Sequence, residues 1–112
     1  GVRTNSGNDI TVTIPGGIDY GRRAIAANAT ASVSDRIIGV TSTGSLEIKL
    51  SPAQDLSAGQ YITIKKEVSS NNQVTISTSG SQTIDGVASV MLESPYAALN
   101  VYSDGVASYF IY

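Results

Sequence analysis

The 112-residue sequence contains no cysteine and no histidine. Without cysteine there is no disulfide, no thiolate metal site and no thiol nucleophile. Without histidine there is no Ser-His-Asp triad, no imidazole acid–base chemistry and no imidazole ligand for zinc. Charge is scarce too. Only 14% of residues are charged, with a formal net charge of −2, against roughly 25% in an average soluble domain. Basic residues are few and scattered (Arg3, Arg22, Arg23, Arg36, Lys49, Lys65, Lys66). They form no phosphate-binding stripe, so nucleic acid is not an expected partner. No apolar run approaches the ~18–20 residues of a membrane span, so the chain is not expected to cross a bilayer. Gly16-Gly17 and Gly21 lack the spacing and the following helix of a phosphate loop, and no cofactor is expected.

What fills the sequence instead is Ser, Thr, Asn, Gly and β-branched residues. "DITVTIP" alternates Ile10, Val12 and Ile14 against Thr11 and Thr13, which predicts a half-buried strand ended by Pro15-Gly16-Gly17. "DRIIGVTS" predicts another strand. "SLEIKL" places Leu46, Ile48 and Leu50 inward and Glu47 and Lys49 outward. In "SPAQDLSAG", Ser51 fits an N-cap and Pro52 the first helical position, which predicts one short helical turn. "QYITIKKEV" sets Tyr61, Thr63 and Lys65 against Ile62, Ile64 and Lys66. Further strands follow in "QVTIST", "GSQTIDG", "ASVMLES", "AALNVY" and "ASYFIY". Short strands with turn signals every ~8–12 residues and no convincing helical period predict an all-β domain, an antiparallel β-sandwich, jelly roll or small barrel. The strands recur at no fixed period, which argues against a β-helix.

The C-terminal "NVYSDGVASYFIY" holds three of the six tyrosines and the only phenylalanine. Asp104-Gly105 signals a hairpin, because a type I′ turn needs positive φ at both central residues. A two-residue loop pairs Asn100 with Tyr109 and Leu99 with Phe110. Leu99, Val101, Phe110 and Tyr112 then share one face, and Ala98, Asn100, Tyr102, Tyr109 and Ile111 the other. A longer, bulged loop shifts the register and exchanges the faces of one strand. In either register both faces of the last strand are apolar or aromatic, where a surface strand keeps one polar face. Either it is a central strand covered within one chain, or one face packs on the domain's own second sheet and the other on a partner subunit. The second is preferred, since a sandwich of this size has one interior. Leu99, Val101, Tyr109, Phe110, Ile111 and Tyr112 are therefore the candidate subunit interface.

Residues 35–112 resemble the C-terminal domains of bacteriophage tail fibres and related tail proteins. The resemblance lies in "IIGVTSTGSLEIKLSPAQDLSAGQYITIKKEV", "NQVTISTSGSQTIDG" and "SPYAALNVYSDGVASYFIY". In the family a strand and a Pro-containing segment step through Gly-Gln into an I-x-I-K strand. A T-I-D-G turn and an S-D-G hairpin follow. The sequence departs from the family where an aromatic commonly follows the S-D-G turn. Ser108 stands there, with Tyr109 next. The resemblance implies a homotrimeric knob of the tumour-necrosis-factor-like jelly-roll type at the distal tip of a fibre, spike or needle. Its C-terminal strand would lie near the threefold axis, and its place would be the virion, outside the cell. Residues 1–33 would be a lead-in with the first strand, joining an upstream stalk, and residues 34–112 the knob. The implied role is structural and host-recognising, without catalysis, and the implied partners are two copies of itself and a bacterial surface glycan or outer-membrane receptor. A polysaccharide-degrading spike fragment and a capsid or baseplate assembly module are the alternatives.

Asp85 and Asp104 are the carboxylates a glycan hydrolase would need, but each precedes a glycine in turn chemistry, which accounts for both. No loop carries calcium-ligand spacing. Arg22 and Arg23 are candidates for an anionic sugar or carboxylate, given the guanidinium fork, and Tyr96 for a receptor contact. Solvated loops or ion pairs compete for the arginines, and rim packing competes for the tyrosine.

Overall fold

The computed structural model describes residues 20–112. The strand expected over residues 9–15 lies outside them. Ten strands are present among the described residues: β1 (Arg22–Ile25), β2 (Ala29–Thr30), β3 (Ile37–Val40), β4 (Leu46–Lys49), β5 (Tyr61–Lys66), β6 (Val74–Ser77), β7 (Thr83–Ile84), β8 (Ser89–Leu92), β9 (Ala98–Ser103) and β10 (Ser108–Ile111). They build a six-stranded sheet, in the order β1-β3-β5-β9-β10-β7, and a four-stranded sheet, in the order β2-β4-β6-β8. The all-β expectation holds at this level.

The pairing differs from an antiparallel sandwich. β1, β3 and β5 run parallel in one sheet, and β2, β4 and β6 run parallel in the other. From β1 to β6 the chain therefore alternates between the sheets and lays each strand parallel to the one two before it, a coil of the β-helical kind that the lack of a fixed period argued against. Sequence spacing concealed this coil. Arg22 aligns with Ile37, and Ile37 in turn with Thr63, but the second circuit is lengthened by the excursion through residues 51–59. Only β8, β9 and β10 join antiparallel neighbours, on β6, β5 and β9 respectively. β10 also runs parallel to β7. Residues 22–33 supply β1 and β2 to the same two sheets as the rest, so the described residues share one core across position 33.

Alternation in each strand decides what that core holds. Ile38, Val40, Ile62, Ile64, Val101 and Tyr109 from the first sheet meet Leu46, Ile48, Val74 and Ile76 from the second, and all are buried. Burying side chains of this size stabilises by roughly 1.5–3 kcal/mol each before entropy is counted. Leu46, Ile48 and Leu50 point inward as their spacing predicts.

Lys66 continues the inward row of Ile62 and Ile64 and is fully buried. Its ammonium donates to the carbonyls of Ser70 (2.9 Å), Asn72 (2.6 Å) and Glu93 (2.7 Å). Three donors meet three acceptors, which is the condition for keeping an ammonium out of water. The ammonium thereby ties β5 to the loop before β6 and to the end of β8.

Between β4 and β5 the expected helical turn is a 3-10 turn over Ala53–Asp55. Ser51 does not cap it. The Ser51 hydroxyl donates instead to the Ala31 carbonyl at 2.6 Å, in the interior. The type I′ turn also falls elsewhere than expected. Asp85 and Gly86 have φ of 48° and 85°, and Ile84 and Val87 exchange both backbone hydrogen bonds around them. At the terminal hairpin Gly105, but not Asp104, has positive φ. The Asp104 amide donates to the Ser108 carbonyl there, closing a longer loop.

Candidate functional site

That longer loop decides which residues face outward. Ser103 stands opposite Tyr109, Tyr102 opposite Phe110, and Val101 opposite Ile111. The register differs by an odd number of residues from that of a two-residue loop, so the faces of one strand are exchanged. Asp104 sets the loop: one carboxylate oxygen accepts from the amides of Val106, Ala107 and Ser108 at 2.8–3.1 Å. These amides hold its carboxyl below the usual aspartate range.

Three of the six expected interface residues are consequently used inside the chain. Leu99, Val101 and Tyr109 are buried in its own core. The Tyr109 hydroxyl donates to the Ser51 carbonyl at 2.7 Å. Burial, with Asp55 nearby, pushes this hydroxyl up to about 12. Phe110, Ile111 and Tyr112 remain exposed, at 38%, 41% and 60%. Ile111 lies on the core side of its strand, opposite Val101. Phe110 and Tyr112 point the other way, onto the outer face of the six-stranded sheet.

On that face they meet two tyrosines that inspection of the terminal run does not bring to them. Tyr61 on β5 aligns with Tyr102 on β9, which aligns with Phe110 on β10. The Tyr102 ring lies 5.7 Å from Phe110 and 5.9 Å from Tyr112, and Tyr61 meets Tyr112 edge-on at 6.5 Å. These separations are those of interacting aromatic pairs. Tyr61, Tyr102 and Tyr112, with Gly59, line an open, mainly apolar depression. Exposed Ile37 extends the face one row along, in register with Thr63. The signal for Tyr61 was available: β5 alternation puts it opposite Ile62 and Ile64, and so outward.

The other end of the same face is charged and internally paired. Arg22 grips Glu67 with two nitrogens, Nε at 3.1 Å and Nη2 at 2.5 Å. This holds the Glu67 carboxyl below its usual range. Gly39 makes room for the pair, because a Cβ there would come within 2.2 Å of a Glu67 oxygen. Arg23 is likewise paired with Asp35, at 3.0 and 3.3 Å, and reaches the Thr30 carbonyl. Both guanidinium forks expected for an anionic ligand are therefore filled by carboxylates of the same chain. Tyr96 is exposed, has φ of 59°, and lies 5.9 Å from the Lys65 ammonium.

Asp85 is committed in its turn: its Oδ1 accepts from the Ile111 amide at 3.1 Å. Among the described residues no three acidic side chains gather as a metal site would require, and no helix is long and apolar enough to cross a membrane. The outward aromatic face of β5, β9 and β10, with its charged rim, is thus the candidate site. No family model, curated protein or solved structure matches the chain.

Proposed function

We propose that this chain is a non-enzymatic structural and attachment domain at the distal end of a bacteriophage tail fibre, spike or needle. It assembles as a homotrimer through the outer face of its six-stranded sheet. The observation that carries this reading is the cluster of Tyr61, Tyr102, Phe110 and Tyr112 on an exposed sheet face. A solvated sheet keeps that face polar. An aromatic centre with a charged rim, here Arg22, Glu67 and Lys65, is the anatomy of a protein interface. Burial of Leu99, Val101 and Tyr109 in the chain's own core narrows the interface to the outward set.

The number three and the virion location rest on the resemblance of residues 35–112 to tail-protein C-terminal domains; the jelly-roll class that resemblance implies does not fit the parallel pairing of β1 to β6. Catalysis is disfavoured by the state of the two tempting carboxylates. A glycosidase acid needs a raised pKa, whereas Asp104 is held low by three amides and Asp85 is spent on a backbone amide. Three linked copies raise weak single-site attachment by multivalency. Labelled chain should adsorb to intact host bacteria and compete with virions for them. Absence of adsorption, with tight binding to another virion protein, would replace attachment by a capsid or baseplate assembly role.

A further inference from the structure

The outer face of the four-stranded sheet is the opposite of the aromatic one. Parallel registration sets Glu47 beside Thr75, and β8 brings Met91 next to them. Asn28 adjoins Glu47, since its Oδ1 accepts the Glu47 amide at 2.8 Å. Two depressions in this face meet at Asn28 and Glu47. One runs on to Thr30 and Lys49, and the other to Thr75 and Ser77. The Ser77 hydroxyl donates to Glu47 Oε2 at 2.6 Å, which fixes the carboxylate in the groove. Lys49 follows on the same face of β4, yet makes no ion pair or hydrogen bond among the described residues. Glu47 Oε1 likewise accepts none.

The groove thus offers one oriented carboxylate acceptor, one uncommitted ammonium and a run of amide and hydroxyl groups. Exposed Met91 supplies an apolar patch at its end. The charges balance, so the chemistry suits neither a polyanion nor a polycation. It suits vicinal hydroxyls, which donate to a carboxylate and accept from ammonium and amide groups. The strands repeat every ~4.8 Å, about the span of one pyranose ring, so successive rings of an extended glycan would face successive strands. Resting on the attachment reading above, we infer that this groove binds a neutral bacterial surface polysaccharide laid across β2, β4 and β6. The aromatic sheet meets sister subunits, and the polar sheet meets the host.

A printed panel of purified O-antigen and capsular polysaccharides, neutral and acidic, probed with the full chain, tests this. Retention on at least one neutral polysaccharide is expected. It should weaken about tenfold in Glu47→Gln and again in Lys49→Met, the scale of one charge-assisted hydrogen bond. Both variants are surface changes that should leave circular dichroism and oligomer mass unaltered. Retention on acidic polysaccharides only, on none, or at undiminished strength in both variants would overturn the groove. Adsorption to intact cells separates the two readings. If the double variant still adsorbs like the parent, attachment stands and the groove does not carry it. If the parent retains a neutral polysaccharide on the panel but ignores cells, the groove stands and the attachment reading falls.

Discussion

Ser103 stands opposite Tyr109 across the closing hairpin, and both side chains enter the core. Each ties the hairpin to the segment after β4: the Tyr109 hydroxyl to the Ser51 carbonyl, and the Ser103 hydroxyl to the Ala53 carbonyl at 2.8 Å. Tyr109→Phe leaves a buried carbonyl without its donor and should cost about 1–3 kcal/mol. Tyr109→Ala adds a cavity and should cost about 3–5 kcal/mol, as for other large aromatics. Urea unfolding of the two variants checks the order. Equal midpoints for parent and Tyr109→Phe would mean that water serves the Ser51 carbonyl as well.

The same hydroxyl makes an alkaline prediction. Its pKa is raised from 10.0 to about 12 in the folded chain, chiefly by burial. The fold therefore holds this proton more tightly than the unfolded chain does, and above pH 10 the unfolded state binds fewer protons. Stability from this group is complete below pH 10 and is lost as pH climbs from 10 towards 12. Tyr109→Phe should lack that component, so the gap between parent and variant should shrink across this window. Urea midpoints at stepped pH measure it.

Lys66 predicts a cost inside the core, away from the aromatic face. Lys66→Met keeps the length of the buried stem but leaves the carbonyls of Ser70, Asn72 and Glu93 without their ammonium. A loss of about 2–4 kcal/mol is expected, since each unsatisfied buried polar group costs ~1–3 kcal/mol less whatever water recovers. Amide exchange should quicken around residues 70–72 and 93. A variant as stable as the parent would show that the three carbonyls are hydrated without Lys66.

Gly39 predicts a titration change. In Gly39→Ala the new methyl would collide with the Glu67 carboxylate, which must leave its seat over β3 and loosen its grip on Arg22. The Glu67 carboxyl, now held low by Arg22, should move up towards the ordinary glutamate range. Carbon-detected NMR titration of the side-chain carboxyl measures the direction. An unchanged value would mean that Arg22 follows Glu67 to a new position.

From β3 onward strand existence and facing were legible because alternation fixes them: Leu46, Ile48, Ile62, Ile64, Val74 and Ile76 all point where their spacing puts them, whereas β1 and β2 lie in a stretch without alternation and were not legible. Pairing partners were not legible. Alternation carries no information about which strand lies alongside, and the excursion after Leu50 hid the coil by making its circuits unequal. The terminal register failed for a local reason. Asp104-Gly105 and Asp85-Gly86 are the same dipeptide, but only the second sits in a two-residue turn. Asp104 instead spends its carboxylate on three successive amides, which favours the longer loop. From that one choice follows the division of the aromatics, with Tyr109 inside and Phe110 outside. Lys66 was placed on the row of Ile62 and Ile64 by sequence, yet the carbonyls that receive its ammonium belong to the loop after β5 and to Glu93 beyond β8, about which alternation says nothing.

The division of the last strand yields the most direct test of the proposed assembly. Sedimentation equilibrium of the parent chain at micromolar concentration should give three times the chain mass. Phe110→Asp, on the outward face, should give a folded monomer, and Tyr109→Asp, in the core, should fail to fold. A parent that sediments as a monomer, or a Phe110→Asp chain that stays trimeric with an unchanged melting temperature, would contradict self-association through the aromatic sheet.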